Sequence, residues 1–519
     1  MEYLNKNLYD EYEKLLVKND VLSKENRNLK YTNNLLEKQI QTLKDSKIEE
    51  NEKFKKQEEE INKQAREIER LKSLLGINGT NSSIPTSQTP IGKKKVIPNS
   101  REKSGVKKGG QIGHPKHKLE KFEDEEVNNH IEHGMDSCPC CNSNAIKETG
   151  TVIEKDETDY KIIVEKKRHK FIEYKCEKCG KSFHKNIPNN LKEENQYGPQ
   201  IQALELTLMN QGNVTINKAQ KITYGLTDGE IDLSEGYIAK LQKRAAKGLE
   251  DFVKKLKAEI IKQPLLHWDD TVIMIDTARG CLRFYGNEKL ALYTAHLHKD
   301  KEGLDEDNIL KLLPKETIVE HDHNKVNYND DYGFTNAECN RHLLKDLQKV
   351  TDNLNRDWSS ELAKLLTETN KQRSKLILNN VDEFSKEELK EFTNKFSDIM
   401  LKAYSENEKD KNRYFSEDEE NLILRILDYK NEYLLWLYDF DVPFTNNLSE
   451  RALRGVKSKQ KASGQFWSAE SASWYAVIKS YIETCYRNGI NVYNALIMLS
   501  VGRPYALEQI LNLGQELNE

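Results

Sequence analysis

Leucine recurs at every seventh position near the start of the chain, at Leu8, Leu15, Leu22, Leu29, Leu36 and Leu43. Three positions before these stand Asn5, Tyr12, Asn19, Asn26, Asn33 and Ile40. With the leucines at d and the second set at a, the pattern is that of a leucine zipper. The register continues through Phe54, Ile61, Ile68 and Leu75 at a, while d turns to Gln57, Gln64 and Leu71. A coiled coil is therefore predicted over residues 1–76. Asn at a costs stability but pairs best with another Asn, which favours a parallel, in-register dimer or a higher homo-oligomer. A single charged helix lying on its own protein is the plainer alternative, but the polar remaining positions leave it little to bury.

Beyond this segment the helical period vanishes. Residues 77–118 are dominated by Gly, Ser, Pro, Asn and Lys, the composition of a flexible linker. Its cations include Lys93, Lys94, Lys95, Lys107 and Lys108, with Glu102 the acid among them. Such a run is either a solvated tether or an arm that neutralises DNA phosphates. In 119–190, alternating apolar residues (Val152, Ile153, Tyr160, Ile162, Val164) predict a β-hairpin. Residues 191–263 have helical period, with Ser234 placed to cap a helix carrying Ile238, Leu241 and Leu249. That segment is either a DNA-reading helix-turn-helix or a packing domain. After Pro264 come apolar runs of strand length (265–269, 272–275, 281–285, 290–294), a helix-like run over 308–313, and the strand-like 317–322. Strands followed by a helix and another strand predict a mixed α/β sheet. The expected organisation is thus a multidomain α+β chain: a catalytic core in two parts, 264–350 and 439–519, interrupted by a charged helical insertion over 351–438.

Composition narrows the setting. At 519 residues the chain exceeds one ordinary core. No apolar run approaches the roughly 20 residues that span a bilayer, and no signal core opens the sequence, so a cytoplasmic location with no membrane contact is expected. The formal net charge of −4 counts mildly against a nucleic-acid partner, but the cations are clustered rather than spread.

Two constellations carry chemistry. Cys138, Cys141, Cys176 and Cys179 form two C-x-x-C pairs, whose thiolates suit a tetrahedral structural Zn²⁺; Cys140 is an alternative ligand within the first pair. A closed four-cysteine shell leaves no open position for catalysis, and a cytosolic setting argues against disulfides. Separately, Asp269 and Asp322 end strand-like runs. Glu450 begins a helix rich in Arg451, Arg454, Lys457, Lys459 and Lys461. Three converging carboxylates repel one another unless a hard cation such as Mg²⁺ or Mn²⁺ holds them. In a chain of 85 acidic residues, spacing alone would not single them out.

The strings around the acids do. His267-Trp268-Asp269-Asp270-Thr271 resembles the H-x-D-E-T strand of the insertion sequence 66 family of bacterial transposases. His321-Asp322 is similar to that family's second-acid strand, and Cys339-Asn340-Arg341-His342-Leu343-Leu344 to its C-x-x-H-L-L motif. Asn446-Asn447-Leu448-Ser449-Glu450-Arg451 resembles its N-N-x-x-E-R motif. The Gly109–Pro115 stretch, the cysteine pairs and Tyr197-Gly198-Pro199 follow the family's order. Asp270 stands where the family usually has Glu, and Thr445 where it usually has Asp.

The resemblance implies an RNase H-like catalytic fold. It also implies a metal-binding catalytic triad of Asp269, Asp322 and Glu450, with His342 orienting or protonating a group near the scissile phosphate. The implied activity is DDE transposition: two Mg²⁺ or Mn²⁺ ions, cleavage that frees a 3′-hydroxyl at insertion-sequence ends, and joining of that end to target DNA. Arg451, Arg454, Lys457, Lys459 and Lys461, with the linker lysines, would contact phosphates of double-stranded DNA. Accessory transposition proteins are further expected partners. Two rival readings are a non-catalytic, transposase-derived DNA-binding protein and a metal-dependent nuclease without strand transfer.

Overall fold

The computed structural model describes residues 2–76, 120–188 and 190–516. Lys93, Lys94, Lys95, Lys107 and Lys108 lie outside them. The chain divides into two compact units, residues 1–97 with 341–440 and residues 98–340 with 441–519.

In chain order the elements are α1 (Glu2–Gly76), β1 (Glu173–Lys175), β2 (Ser182–His184), α2 (Pro199–Leu206), α3 (Ile216–Leu226), α4 (Glu235–Lys247) and α5 (Glu250–Ile260). The sheet region follows with β3 (Leu265–Ile275), β4 (Ala278–Gly286), β5 (Ala291–His296), α6 (Lys301–Asp307), β6 (Ile318–His321) and β7 (Thr335–Glu338). Then come α7 (Asn340–Leu354), α8 (Asp357–Leu378), α9 (Lys386–Lys409), α10 (Ser416–Asp428), and the short α11 (Lys430–Tyr433) and α12 (Leu435–Tyr438). The last helices are α13 (Asn447–Ser463), α14 (Ala469–Arg487), α15 (Val492–Ser500) and α16 (Leu507–Glu516).

The first unit is helical. α1 runs unbroken through the heptads, and Leu8, Leu15, Leu29 and Leu43 of its stripe are exposed in the single chain. Its last turns pack on the segment between α9 and α10. Arg413 Nε donates to Glu69 Oε1 (2.8 Å), the Tyr414 N–H to Glu69 Oε2 (2.8 Å), and Arg66 Nε to the Asn412 carbonyl (2.9 Å). Nothing in the heptad pattern indicated this docking. The unit's core gathers Trp358, Leu362, Leu366, Phe392, Phe396, Met400, Ile423 and Trp436. At its centre Glu419, fully buried, accepts from Arg356, Trp358 Nε1 (2.7 Å) and Asn407 Nδ2 (3.0 Å). A buried carboxylate persists only when such donors replace its water.

The second unit is built on a five-stranded sheet of order β5-β4-β3-β6-β7. β3, β4 and β5 form an antiparallel meander, and β6 and β7 run parallel to β3. Antiparallel neighbours need only short turns: Asp276 and Thr277, both at positive φ, join Ile275 to Ala278. The parallel strands need longer crossovers, and α6 lies in the first. Asn308, in left-handed conformation, stops α6, so the helix-like run expected over 308–313 is only a single tight turn at Leu310–Leu312.

One sheet face packs on α13 and α14 through Ile273, Ile275, Phe284, Tyr293, Leu448, Leu453, Val456 and Tyr475. Each such aliphatic side chain contributes about 1.5–3 kcal/mol when taken from water. α14 also closes the open edge. Ser480 Oγ accepts from the Tyr293 N–H (2.8 Å), and Thr484 Oγ1 bonds to both backbone groups of Ala291. β5 is thereby kept from pairing with a foreign strand. On the other face, buried Asp307 accepts from Tyr285 (2.8 Å), Thr294 (3.0 Å), Arg283 (3.2 Å) and His296 (2.5 Å). Burial alone would raise its pKa, but the His296 and Arg283 charges and these hydrogen bonds hold it below the usual carboxylate value.

Ser234 caps α4 as its position in the sequence suggested, accepting from the Tyr237 N–H (3.1 Å). The hairpin expected over 152–164 is absent: residues 144–172 carry no strand, and Val152, Ile153 and Tyr160 are exposed. Alternation without a buried partner face does not make a strand. The short antiparallel pair β1–β2 instead brackets Cys176–Cys179, with Tyr174 and Phe183 stacked at 6.1 Å.

Candidate active site

The first two acids lie in and just after two neighbouring parallel strands. In the parallel β3–β6 pair, His267 stands opposite Glu320. Asp269 lies two residues further on within β3 and Asp322 just past the end of β6, and among the described residues the carboxylates of Asp269, Asp322 and Glu450 do not gather within 4.8 Å of one another. The β6–β7 pair sets His321 opposite Glu338. The next residue of each is Asp322 and Cys339, and the Asp322 carboxylate and the Cys339 sulfur lie within 4.8 Å.

Each acid is locally restrained. The Asp270 N–H donates to Asp269 Oδ1 (2.8 Å). The turn after Asp322 is tied to β7 by Glu338, whose Oε1 accepts from His323 Nδ1 (2.7 Å) and Tyr328 OH (2.5 Å). Asp270 points to the other face and pairs with Lys299 (2.6 Å).

The third acid arrives on α13, which packs on the face that carries Asp269. The chain re-enters this unit beside the point where it left: the Asn340 N–H donates to the Phe444 carbonyl (3.3 Å). Asn446, fully buried, then joins three elements. Its Oδ1 is 2.9 Å from His267 Nδ1, its Nδ2 donates to the Trp268 carbonyl (2.9 Å), and its N–H to Cys339 Sγ (3.2 Å). The Asn446 carbonyl starts the helix by accepting from the Glu450 N–H (3.2 Å) and Ser449 Oγ (3.0 Å). Burial pushes His267 below the ordinary histidine value, against the Asn446 hydrogen bond. Among the described residues, Glu450 Oε1 is buried and has no hydrogen-bond partner. An acceptor oxygen in that state fits a cation better than another neutral group.

Glu450, Arg454, Lys457 and Lys461 follow at helical spacing on one side of α13, and the three cations are exposed, as is Arg451. Lys459 is a correction to the sequence reading. It is 8% exposed on the opposite side, donating to the carbonyls of Met209 (3.3 Å) and Val214 (2.9 Å). Met209 lies in the wide π turn Thr207–Gln211, which leaves carbonyls outside the ordinary helical ladder. With no acid beside it, burial pushes the Lys459 ammonium down to about 8. His342 is half-buried near the start of α7, in the other unit. The sequence reading missed Asn446 and His267 as a joint; the asparagine pair before Glu450 was the available sign.

The cysteine pairs form two matching turns. The Asn142 N–H bonds to the Cys138 carbonyl (2.8 Å) and the Gly180 N–H to the Cys176 carbonyl (2.8 Å). Backbone N–H groups of Cys140 and Cys141 beside the Cys138 sulfur, and that of Cys179 beside Cys176, lower both thiols from their ordinary value. All eight cysteines are free thiols. Among the described residues, no three of these sulfurs approach within 4.8 Å of one another.

No helix among the described residues is long and apolar enough to cross a membrane. Comparison with curated proteins gives no match. The family model described as Transposase IS66 family matches residues 194–473, more than half of the chain, and takes in β3, β6, α13 and the first turn of α14. On that match, the chain belongs to the IS66 family of transposases.

Proposed function

We propose that this transposase cuts and joins DNA strands at insertion-sequence ends by DDE chemistry, with Asp269, Asp322 and Glu450 as its metal-binding acids. The observation that supports the reading is the placement of the acids: Asp269 within β3, Asp322 just past the parallel β6, and Glu450 in the first turn of the helix that packs on the face carrying Asp269. The sheet, a three-stranded meander with two parallel strands added beyond β3, supports an RNase H-like core.

The three carboxylates would hold Mg²⁺ or Mn²⁺, which when bound lower the pKa of a water and stabilise the oxygen that leaves phosphorus. The chain's own groups do the rest. Asp269 in β3 and Asp322 just after β6 would need little ordering when DNA arrives. The exposed cations Arg451, Arg454 and Lys457 lead away from Glu450 and suit a duplex backbone, positioning it without reading sequence. The paired turns at Cys138–Cys141 and Cys176–Cys179 suit a structural Zn²⁺. Such sites seldom preform, and the ion itself would draw the pairs together.

The test uses Asp269→Asn, Asp322→Asn and Glu450→Gln, with Asp270→Asn as control, in cleavage and strand-transfer assays on terminal-repeat DNA beside a binding assay. Both reactions should be lost together in the three variants, with DNA affinity retained. Cleavage at the parental rate in all three would overturn the triad. Cleavage without strand transfer in the parent would make the protein a nuclease.

A further inference from the structure

We propose that Asn446 is a positioning residue for Glu450: its carboxamide and backbone lock the first turn of α13 to β3 next to Asp269 and to Cys339, which lies against Asp322. The inference rests on the triad reading and concerns what sets the distance of its third member.

Glu450 is separated from Asp322 by the whole segment 341–440, which belongs to the other unit. Sheet register, which aligns β6 with β3, cannot fix a residue that re-enters from so far along the chain. The contacts of Asn446 can. Its Nδ2 donates to the carbonyl of Trp268, the residue before Asp269; its N–H meets Cys339, the residue level with Asp322; and its carbonyl accepts from the Glu450 N–H. One residue, through its side chain and its backbone, thus refers the third acid to the surroundings of both others.

The hydrogen-bond chemistry fixes the joint's orientation. The Trp268 carbonyl can only accept, so the Asn446 amide must turn its NH₂ toward it and its oxygen toward His267. His267 must then donate from Nδ1. Aspartate at 446 would set an oxygen against the Trp268 carbonyl, and alanine would leave both partners buried and unmet. Asparagine at 267 carries an NH₂ where the ring has Nδ1, and should restore the donor.

The Asn446 side chain bonds to His267 and the Trp268 carbonyl rather than to a proposed metal ligand, so its loss should loosen ion binding while leaving DNA binding intact. Partners that orient metal ligands typically change affinity by about 10–100-fold when removed. The experiment is Mn²⁺ binding to the full-length protein, followed by electron paramagnetic resonance of the free ion, for the parent, Asn446→Ala, His267→Ala, His267→Asn and Glu450→Gln. DNA affinity and melting temperature are measured alongside. Expected are Mn²⁺ affinity reduced at least tenfold in Asn446→Ala and His267→Ala, recovery toward the parent in His267→Asn, and unchanged DNA affinity. If Glu450→Gln weakens Mn²⁺ binding and Asn446→Ala does not, the triad stands and the positioning role is overturned. If Glu450→Gln binds Mn²⁺ like the parent, the triad reading falls first. Should Asn446→Ala not fold, the two His267 variants decide: equal Mn²⁺ affinity in both overturns the proposal.

Discussion

Replacing Lys459 by Met separates a structural lysine from the phosphate-binding cations of the same helix. Lys459 is held down to about 8 from 10.5 by burial alone. At neutral pH both folded and unfolded chains carry the proton, so the folded state bears the full cost of a buried ammonium, partly offset by the Met209 and Val214 carbonyls. Between about pH 8 and pH 10 the unfolded chain holds the proton and the folded chain releases it. Stability therefore rises with pH in that window, by about 2 kcal/mol for a shift of this size. Methionine has similar length and no titration, but leaves two carbonyls without a donor, at about 1–3 kcal/mol. The assay is urea unfolding of parent and Lys459→Met at several pH values, read as the difference between them. That difference should move in the parent's favour by about 2 kcal/mol from pH 8 to pH 10, with DNA affinity equal in both. A difference that stays flat across the window, or a variant that loses DNA affinity as Lys457→Ala should, would refute this account of Lys459.

Arg454→Ala and Lys457→Ala should each weaken DNA binding and lower the slope of log affinity against log salt by about one, measured by fluorescence anisotropy. Glu419→Gln should destabilise the unit containing α8–α10 by about 1–3 kcal/mol in denaturant unfolding, since the buried Arg356 loses one of its two charge partners and keeps Asp410. Asp307, held below the usual carboxylate value, stabilises the fold above that range; the contribution should fall away as pH drops below about 4, and Asp307→Asn should flatten that acid limb. Purified protein should carry one zinc per chain, measured by metal analysis and lost in Cys176→Ser with Cys179→Ser. Removing residues 1–76 should reduce the mass in light scattering from that of a dimer or larger assembly to that of one shorter chain.

Local pattern by itself settled what depends on near neighbours. The heptads of residues 5–75 require one long helix, because only a helix puts every seventh residue on one stripe, and α1 runs through them all. Ser234 announced its helix start, and the strand-length runs after Pro264 became β3, β4 and β5. Helical period could also have set Lys459 apart: nine residues after Glu450 is half a rotation away, whereas Arg454, Lys457 and Lys461 are in phase. What only the tertiary structure decided depends on register and on distant chain. Where Asp322 emerges relative to Asp269 follows from the one alignment in which β6 pairs with β3, and a slip of one residue would turn the side chains of β6 to the other face. Alternation over 152–164 failed to make a hairpin because Val152, Ile153, Tyr160 and Ile162 stay exposed, with Val164 alone among the five packed on the core. The first turn of α13, which carries Glu450, is tied to β3 and to Cys339 because buried Asn446 finds His267, the Trp268 carbonyl and Cys339 at once. Those partners lie more than a hundred residues away in sequence, and hydrogen bonds over such separations leave no period along the chain to read.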